Sequence, residues 1–130
     1  MLQRVADYTH NTEGEHKVAA FVTDKKGNIL SKGLNSYSKT HPMQAEFAEK
    51  VGQEDRIYLH AEISALVRTR KKPYAIYIAR KFKNEEFALA KPCPVCSAAL
   101  KEAGVKKIVY SNSNGTMTIE LHGREHRLRI

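Results

Sequence analysis

Apolar positions along the chain switch between two spacings, and the switches mark out the elements. Leu2, Val5 and Ala6 recur at the spacing of one helix face, which predicts a short helix over residues 1–9. The polar run Asn11-Thr12-Glu13-Gly14 ends it. Val18-Ala19-Ala20-Phe21-Val22 is a compact apolar run that predicts a buried strand. Asp24-Lys25-Lys26-Gly27-Asn28 then supplies a hairpin turn before a returning strand over 29–35. Residues 36–42 are polar and predict a loop, with Pro42 suited to open a helix that runs to about residue 51. Gly52-Gln53-Glu54-Asp55 breaks the pattern.

Ile63, Leu66 and Val67 define the apolar face of a helix over about 60–69, and Pro73 stops it. Residues 74–79, Tyr-Ala-Ile-Tyr-Ile-Ala, alternate in the manner of a strand. Residues 94–103 predict a helix closed by Gly104 in the left-handed capping position. A strand over 105–111 follows, centred on Ile108 and Val109. Gly115 and Gly123 flank 116–121, which predicts a further hairpin or edge strand. Strands separated by helices imply a layered α/β domain with at least part of its sheet parallel.

The 130 residues suit a single domain over 1–130. No stretch approaches the ~20 consecutive apolar residues of a membrane span, and the first residues lack the apolar core of a secretory signal. The expectation is a cytoplasmic protein with no membrane partner. Cys93 and Cys96 are the two cysteines, and in a reducing compartment such a close pair reads as metal ligands or a redox couple. The sequence lacks Cys-Gly-Pro-Cys, and redox chemistry leaves the His-Ala-Glu at 60–62 unexplained. The net charge of +8 favours anionic partners: nucleotides, single-stranded nucleic acid or phosphate groups. Part of it, Arg68, Arg70, Lys71 and Lys72, falls at a predicted helix C-terminus, where cations complement the dipole.

Chemistry concentrates in two places, each at a helix start. One is His60-Ala61-Glu62, the other Pro92-Cys93-Pro94-Val95-Cys96. Zinc is readily bound by imidazole nitrogen and thiolate sulfur, and catalytic sites typically keep three protein ligands and one open position. One histidine and two cysteines give three ligands, and the chain has no third cysteine. That count favours an open site over a closed structural one. Two thiolates and a neutral imidazole leave the Zn2+ site formally neutral, and zinc lowers the pKa of water to about 7. Glu62, two residues beyond His60, can reach a water there without being a ligand and can move protons to a ring nitrogen and a leaving amine.

The paired motifs resemble the cytidine/deoxycytidylate deaminase superfamily, whose signature joins His-x-Glu to Pro-Cys-x-x-Cys. The resemblance extends from the first helix to Tyr110. It implies a three-layer α/β/α cytidine deaminase-like fold around a central mixed sheet of about five strands. It also implies zinc held by His60, Cys93 and Cys96, with Glu62 as the proton shuttle. Gly33-Leu34-Asn35 resembles a Gly-x-Asn whose Asn contributes to sugar or base recognition, which makes Asn35 a substrate-binding candidate beside Ala61. His41 is a further candidate for lining the pocket or binding phosphate, and reads equally well as a surface residue beside a helix start. Residues 104–110 resemble the helix-to-strand passage of deoxycytidylate and tRNA adenosine deaminases, in which the last two strands run parallel. A homo-oligomer is an expectation of the resemblance alone.

The substrate expected first is a free cytosine nucleoside or nucleotide, deoxycytidylate-like, with Lys39 available to a phosphate. The alternative is a polynucleotide deaminase acting on single-stranded DNA cytosine or tRNA adenosine. That needs a basic track, for which Lys81, Lys83, Arg124, Arg127 and Arg129 are available. A zinc-stabilised nucleotide or nucleic-acid binding module is the alternative of another class. It needs a fourth protein ligand, with His10, His16, His41, His122 and His126 as nominal donors.

Overall fold

Residues of β1 are buried on both sides of the strand, because helices cover both faces of the sheet it belongs to. The computed structural model describes residues 1–12, 17–36, 38–53 and 59–130. The helices are α1 (Leu2–Tyr8), α2 (Pro42–Lys50), α3 (Ala61–Val67) and α4 (Pro94–Glu102), with a 3-10 turn at Thr9–Asn11. The strands are β1 (Lys17–Thr23), β2 (Ile29–Leu34), β3 (Ala75–Lys81), β4 (Phe87–Ala88), β5 (Lys107–Ser111), β6 (Thr116–Leu121) and β7 (Arg124–Arg129).

The sheet runs β2-β1-β3-β5-β6-β7, with β4 also paired to β3. β3 and β5 are parallel, joined through α4, and every other pair is antiparallel. Alternation sorts the side chains. Ala20, Val22, Ile76, Ile78 and Tyr110 pack with α2, α3 and α4, whereas Ala19, Phe21, Ala79 and Val109 pack with α1. The result is the expected three-layer α/β/α arrangement. Pro42 opens α2 as expected, and Gly104 (φ 84°) ends α4 while Val105 N–H donates to Leu100 at 3.1 Å.

Three features depart from the sequence reading. Among the described residues the sheet has seven strands, not about five, because the two-residue β4 and the terminal β6–β7 hairpin add to it. The last strands do not run parallel: β5 turns back through Asn112–Gly115 into antiparallel β6, closed by Asn112 N–H donating to Thr116 at 2.8 Å. A parallel neighbour needs a crossover of about a dozen residues or more, whereas only the four residues Asn112–Gly115 separate β5 from β6. α3 also ends at Val67, two residues early. There Ser31 Oγ and Thr69 Oγ1 both donate to the Ala65 carbonyl, at 2.8 and 2.9 Å.

Gly33 sets the height of α3 above the sheet. A Cβ at this position would strike the Ala61 carbonyl and lie 2.5 Å from Ala65 N. Only hydrogen at Gly33 lets α3 lie this close to β2. Ser111 solves a different problem, where β5 ends and β4 takes over the same edge of β3. Its buried hydroxyl accepts from Arg80 N–H at 3.1 Å and donates to the Ala88 carbonyl at 2.8 Å, which satisfies both backbone groups at the junction. No helix among the described residues is long and apolar enough to cross a membrane.

Candidate active site

His60 and Cys93 both occupy helix N-cap positions, of α3 and α4, with extended backbone. An N-cap side chain commonly turns inward to accept a bond from its own helix. Neither does so here, so both are left to converge on each other. Pro94 begins α4 at a position where its missing N–H costs nothing, and one turn into the helix Cys96 comes back under Cys93. The start of α3 is fixed from the side. The buried Gln44 of α2 accepts from His60 N–H at 3.2 Å through Oε1.

His60 Nδ1 lies 3.2 Å from Cys96 Sγ and 3.5 Å from Cys93 Sγ. The three donor atoms all lie within 4.8 Å of one another. Tetrahedral zinc with Zn–N near 2.05 Å and Zn–S near 2.3 Å has N···S edges of about 3.6 Å and an S···S edge of about 3.8 Å. The triad is therefore already close to the spacing zinc requires, and its donor set is one zinc prefers. Among the described residues no other group of three such side chains converges. His10, His41, His122 and His126 do not join the triad; His16 lies outside the described residues.

The electrostatics follow from burial and from the pair of sulfurs. Cys93 is pulled down to about 4, chiefly by a hydrogen bond from Cys96 and further by the His60 ring, against the opposing effect of burial. Cys96, completely buried, is pushed well above the ordinary thiol value by its bond to Cys93 and by desolvation. Between them the sulfurs share one proton, and a divalent cation replaces it with stronger stabilisation of both thiolates. Glu62 is 6% exposed, and burial raises its carboxyl above the usual range, partly countered by His60.

His60, Cys93 and Glu62 line a cavity of about 300 Å3. Asn35 and Ala61 line it too, as the sequence suggests. Asn35 Oδ1 accepts from Val18 N–H at 3.0 Å, so its amide plane is held by β1. His41 is not on this wall. Its Nδ1 accepts from Met43 N–H at 3.0 Å and caps α2. Arg80, Leu89 and Lys91 form a rim that the motifs do not reveal. Arg80 had one signal: it continues the inward-facing series Ile76, Ile78 on β3, where a charge stands out. Gln44 had a similar one, sharing the buried face of α2 with Phe47 and Ala48.

The proposed basic track divides at the sheet. Lys81 faces the α1 side with Lys17, and both pair with Glu85, at 3.8 and 3.2 Å. Register with Thr118 and Thr116 puts Arg127 and Arg129 on the opposite, α4 side, and Arg124 with Lys81's face.

A sequence profile for the cytidine and deoxycytidylate deaminase zinc-binding region matches residues 1–112. The chain belongs to this family. It is accordingly a zinc-dependent deaminase, with His60, Cys93 and Cys96 positioned to bind the metal. β6 and β7 lie beyond the matched residues. The fold is similar to dCMP deaminase from the cyanophage S-TIM5 in apo form, with TM-score 0.56 and 25% identity over 85% of this chain and 79% of that one. The same cyanophage enzyme in complex with dCMP and dUMP gives TM-score 0.56 and 24% identity, covering 85% of this chain and 77% of the other. No curated protein matches the chain in sequence.

Proposed function

We propose that this deaminase converts the cytosine of a nucleoside or nucleotide, deoxycytidylate-like, to uracil with release of ammonia. One observation carries the reading: the buried Glu62 carboxyl shares a cavity with the His60–Cys93–Cys96 triad and is not itself one of the three. Zinc held there supplies Lewis acidity that makes a nucleophile available near neutral pH. Glu62 takes the proton of the attacking water and delivers it to the ring nitrogen beside the amino-bearing carbon. The new hydroxyl then gives its proton, again through Glu62, to the amino group, and the C–N bond breaks. Water and cytosine become uracil and ammonia, and Glu62 returns to its starting state.

Asn35 and the Ala61 backbone are the proposed substrate contacts, set by the wall they share with Glu62. Kinship with a dCMP deaminase supports a pyrimidine over a purine. The divided basic track favours a small substrate over a polynucleotide. The test is mass-spectrometric detection of deamination across deoxycytidylate, deoxycytidine, cytidine, adenosine, a cytosine-bearing single strand and a tRNA stem-loop. We expect turnover of a cytosine mononucleotide or nucleoside, and Glu62→Gln folded and zinc-loaded but slower by about 100-fold or more. Near-normal Glu62→Gln activity removes the shuttle role, and turnover of oligonucleotides alone replaces the substrate reading.

A further inference from the structure

The two residues leading into α3 are tethered at three successive points, all to the stretch 36–44. The Leu59 carbonyl accepts from Ser36 N–H at 2.9 Å, and Leu59 N–H donates to the Lys39 carbonyl at 2.9 Å. His60 N–H then donates to Gln44 Oε1 at 3.2 Å. The first two bonds are made by backbone alone. The third is made by a side chain, and it falls on the metal-binding residue itself.

Gln44 is costly where it stands. It sits in the first turn of α2 and is 0% exposed, on the same buried face as Phe47 and Ala48. A primary amide is tolerated there only if its polar atoms are bonded, and packing alone would be served by an apolar residue. His60 N–H supplies the reason. As the N-cap of α3, His60 lies outside the bonding of its own helix, so the acceptor has to come from another element. His41 belongs to the same device. Its Nδ1 caps α2 by accepting from Met43 N–H at 3.0 Å, which fixes where the first turn begins and so where Gln44 points.

A displacement at this point reaches the metal site almost undiminished. His60 presents Nδ1 to the sulfurs of Cys96 and Cys93, at 3.2 and 3.5 Å. Nδ1 is the ring nitrogen nearer the backbone, so only two side-chain rotations separate the ligand atom from the peptide that Gln44 holds. The cysteines are carried by α4, and α2 packs against α4 as well as α3. α2 thus touches both halves of the triad. We infer that Gln44 is a positioning residue for the metal site: it sets His60 at the distance from Cys93 and Cys96 that zinc requires, so zinc affinity depends on it beyond its share in stability. The inference rests on the zinc site and not on which base is deaminated, so failure of the cytosine reading leaves it standing.

Zinc affinity of the full chain is measured by competition with a chelator, together with the Tm of the metal-free and zinc-loaded forms. Gln44→Leu keeps the bulk and loses the acceptor. Gln44→Asn keeps the amide but is one methylene too short to reach His60 N–H, and it stands in should the leucine variant fail to fold. Phe47→Leu loosens the same buried face of α2 without touching His60. We expect the Gln44 variants to bind zinc about tenfold or more weakly, so that zinc raises their Tm less than it raises that of the wild type. Gln44→Glu, which retains an acceptor, should recover most of the loss. Phe47→Leu should lower both melting temperatures together and keep wild-type zinc affinity. Zinc affinity within about twofold of wild type in the folded Gln44 variants, or an equal loss in Phe47→Leu, overturns the positioning role. A wild-type chain that binds no zinc overturns the metal site itself, and the deaminase reading with it.

Discussion

Replacing Gly33 with alanine tests how tightly the sheet fixes the metal-bearing helix. The added Cβ would strike the Ala61 carbonyl, lie 2.5 Å from Ala65 N and 3.0 Å from Ser64 C, all backbone atoms of α3. Backbone cannot rotate aside as a side chain can. Restoring an ordinary contact of about 3.5 Å requires α3 to move by roughly 1 Å. Overpacking typically costs ~1–3 kcal/mol, and rigid contacts on a buried helix place this case at the upper end, about 3 kcal/mol. For a chain of this length that lowers Tm by about 10 °C. The same displacement carries His60 and Glu62 away from Cys93 and Cys96, and a 1 Å misplacement costs on the order of 100-fold in rate. Calorimetric Tm, zinc content and kcat/KM on deoxycytidylate are measured together. Gly115→Ala serves as the control, since its Cβ meets nothing within 4 Å and its positive φ of 76° adds only local strain. It should lose about 1 kcal/mol and keep its turnover. A Gly33→Ala protein with wild-type Tm and full activity refutes the reasoning.

Ser111→Ala removes the hydroxyl that satisfies both Arg80 N–H and the Ala88 carbonyl, so denaturant unfolding should register a loss of about 3 kcal/mol; a change below about 0.5 kcal/mol contradicts the pairing. Cys96→Ala should bind zinc substoichiometrically by atomic absorption, whereas full occupancy would remove Cys96 from the ligand set. Glu120 is raised above the usual carboxylate range first by burial and then by Glu125, directly opposite on β7. A folded pKa above the unfolded value means that stability is fully present below the unfolded pKa of about 4.3 and is lost as pH rises through the folded one. Glu120→Gln should therefore raise Tm at pH 7 and change it little at pH 4, and an equal gain at both values would show that ionisation is not the cause.

The metal triad was legible because its chemistry is packed into two short local words. His60 and Glu62 are two residues apart, Cys93 and Cys96 three, and each word begins a helix whose start the sequence signals, at the second through Pro94. Backbone geometry at an N-cap then leaves the ligand side chain free of its own helix. Asn35 was legible only by resemblance, and its bond to Val18 is a consequence of the β1–β2 register. His41 read equally well as a pocket residue or a helix-start residue, and its place as the α2 cap follows from Met43 N–H needing an acceptor. Gln44, Arg80 and Ser111 escaped notice because each acts across 16 to 31 positions of sequence, on a neighbour that only the fold supplies.

Strand direction at the end of the sheet was misread for a related reason. Residues 104–110 form the same helix-to-strand passage whichever way the next strand runs. What decides direction is the length of the following connection, and the turn at Asn112–Gly115 allows only a return. That reversal has a consequence for charge. In an antiparallel hairpin the period of two deals alternate residues to opposite faces, so Arg124, Arg127 and Arg129 cannot all serve one surface. A run of arginines that reads as a single basic patch in sequence is separated by the pleat. The concave positive surface adjoining the catalytic cavity is instead assembled from Lys39 and Arg68, which no local motif joins. The placing of these two cations side by side is thus a property of how β2, α3 and the loop before α2 come together, and net charge alone could not have located it.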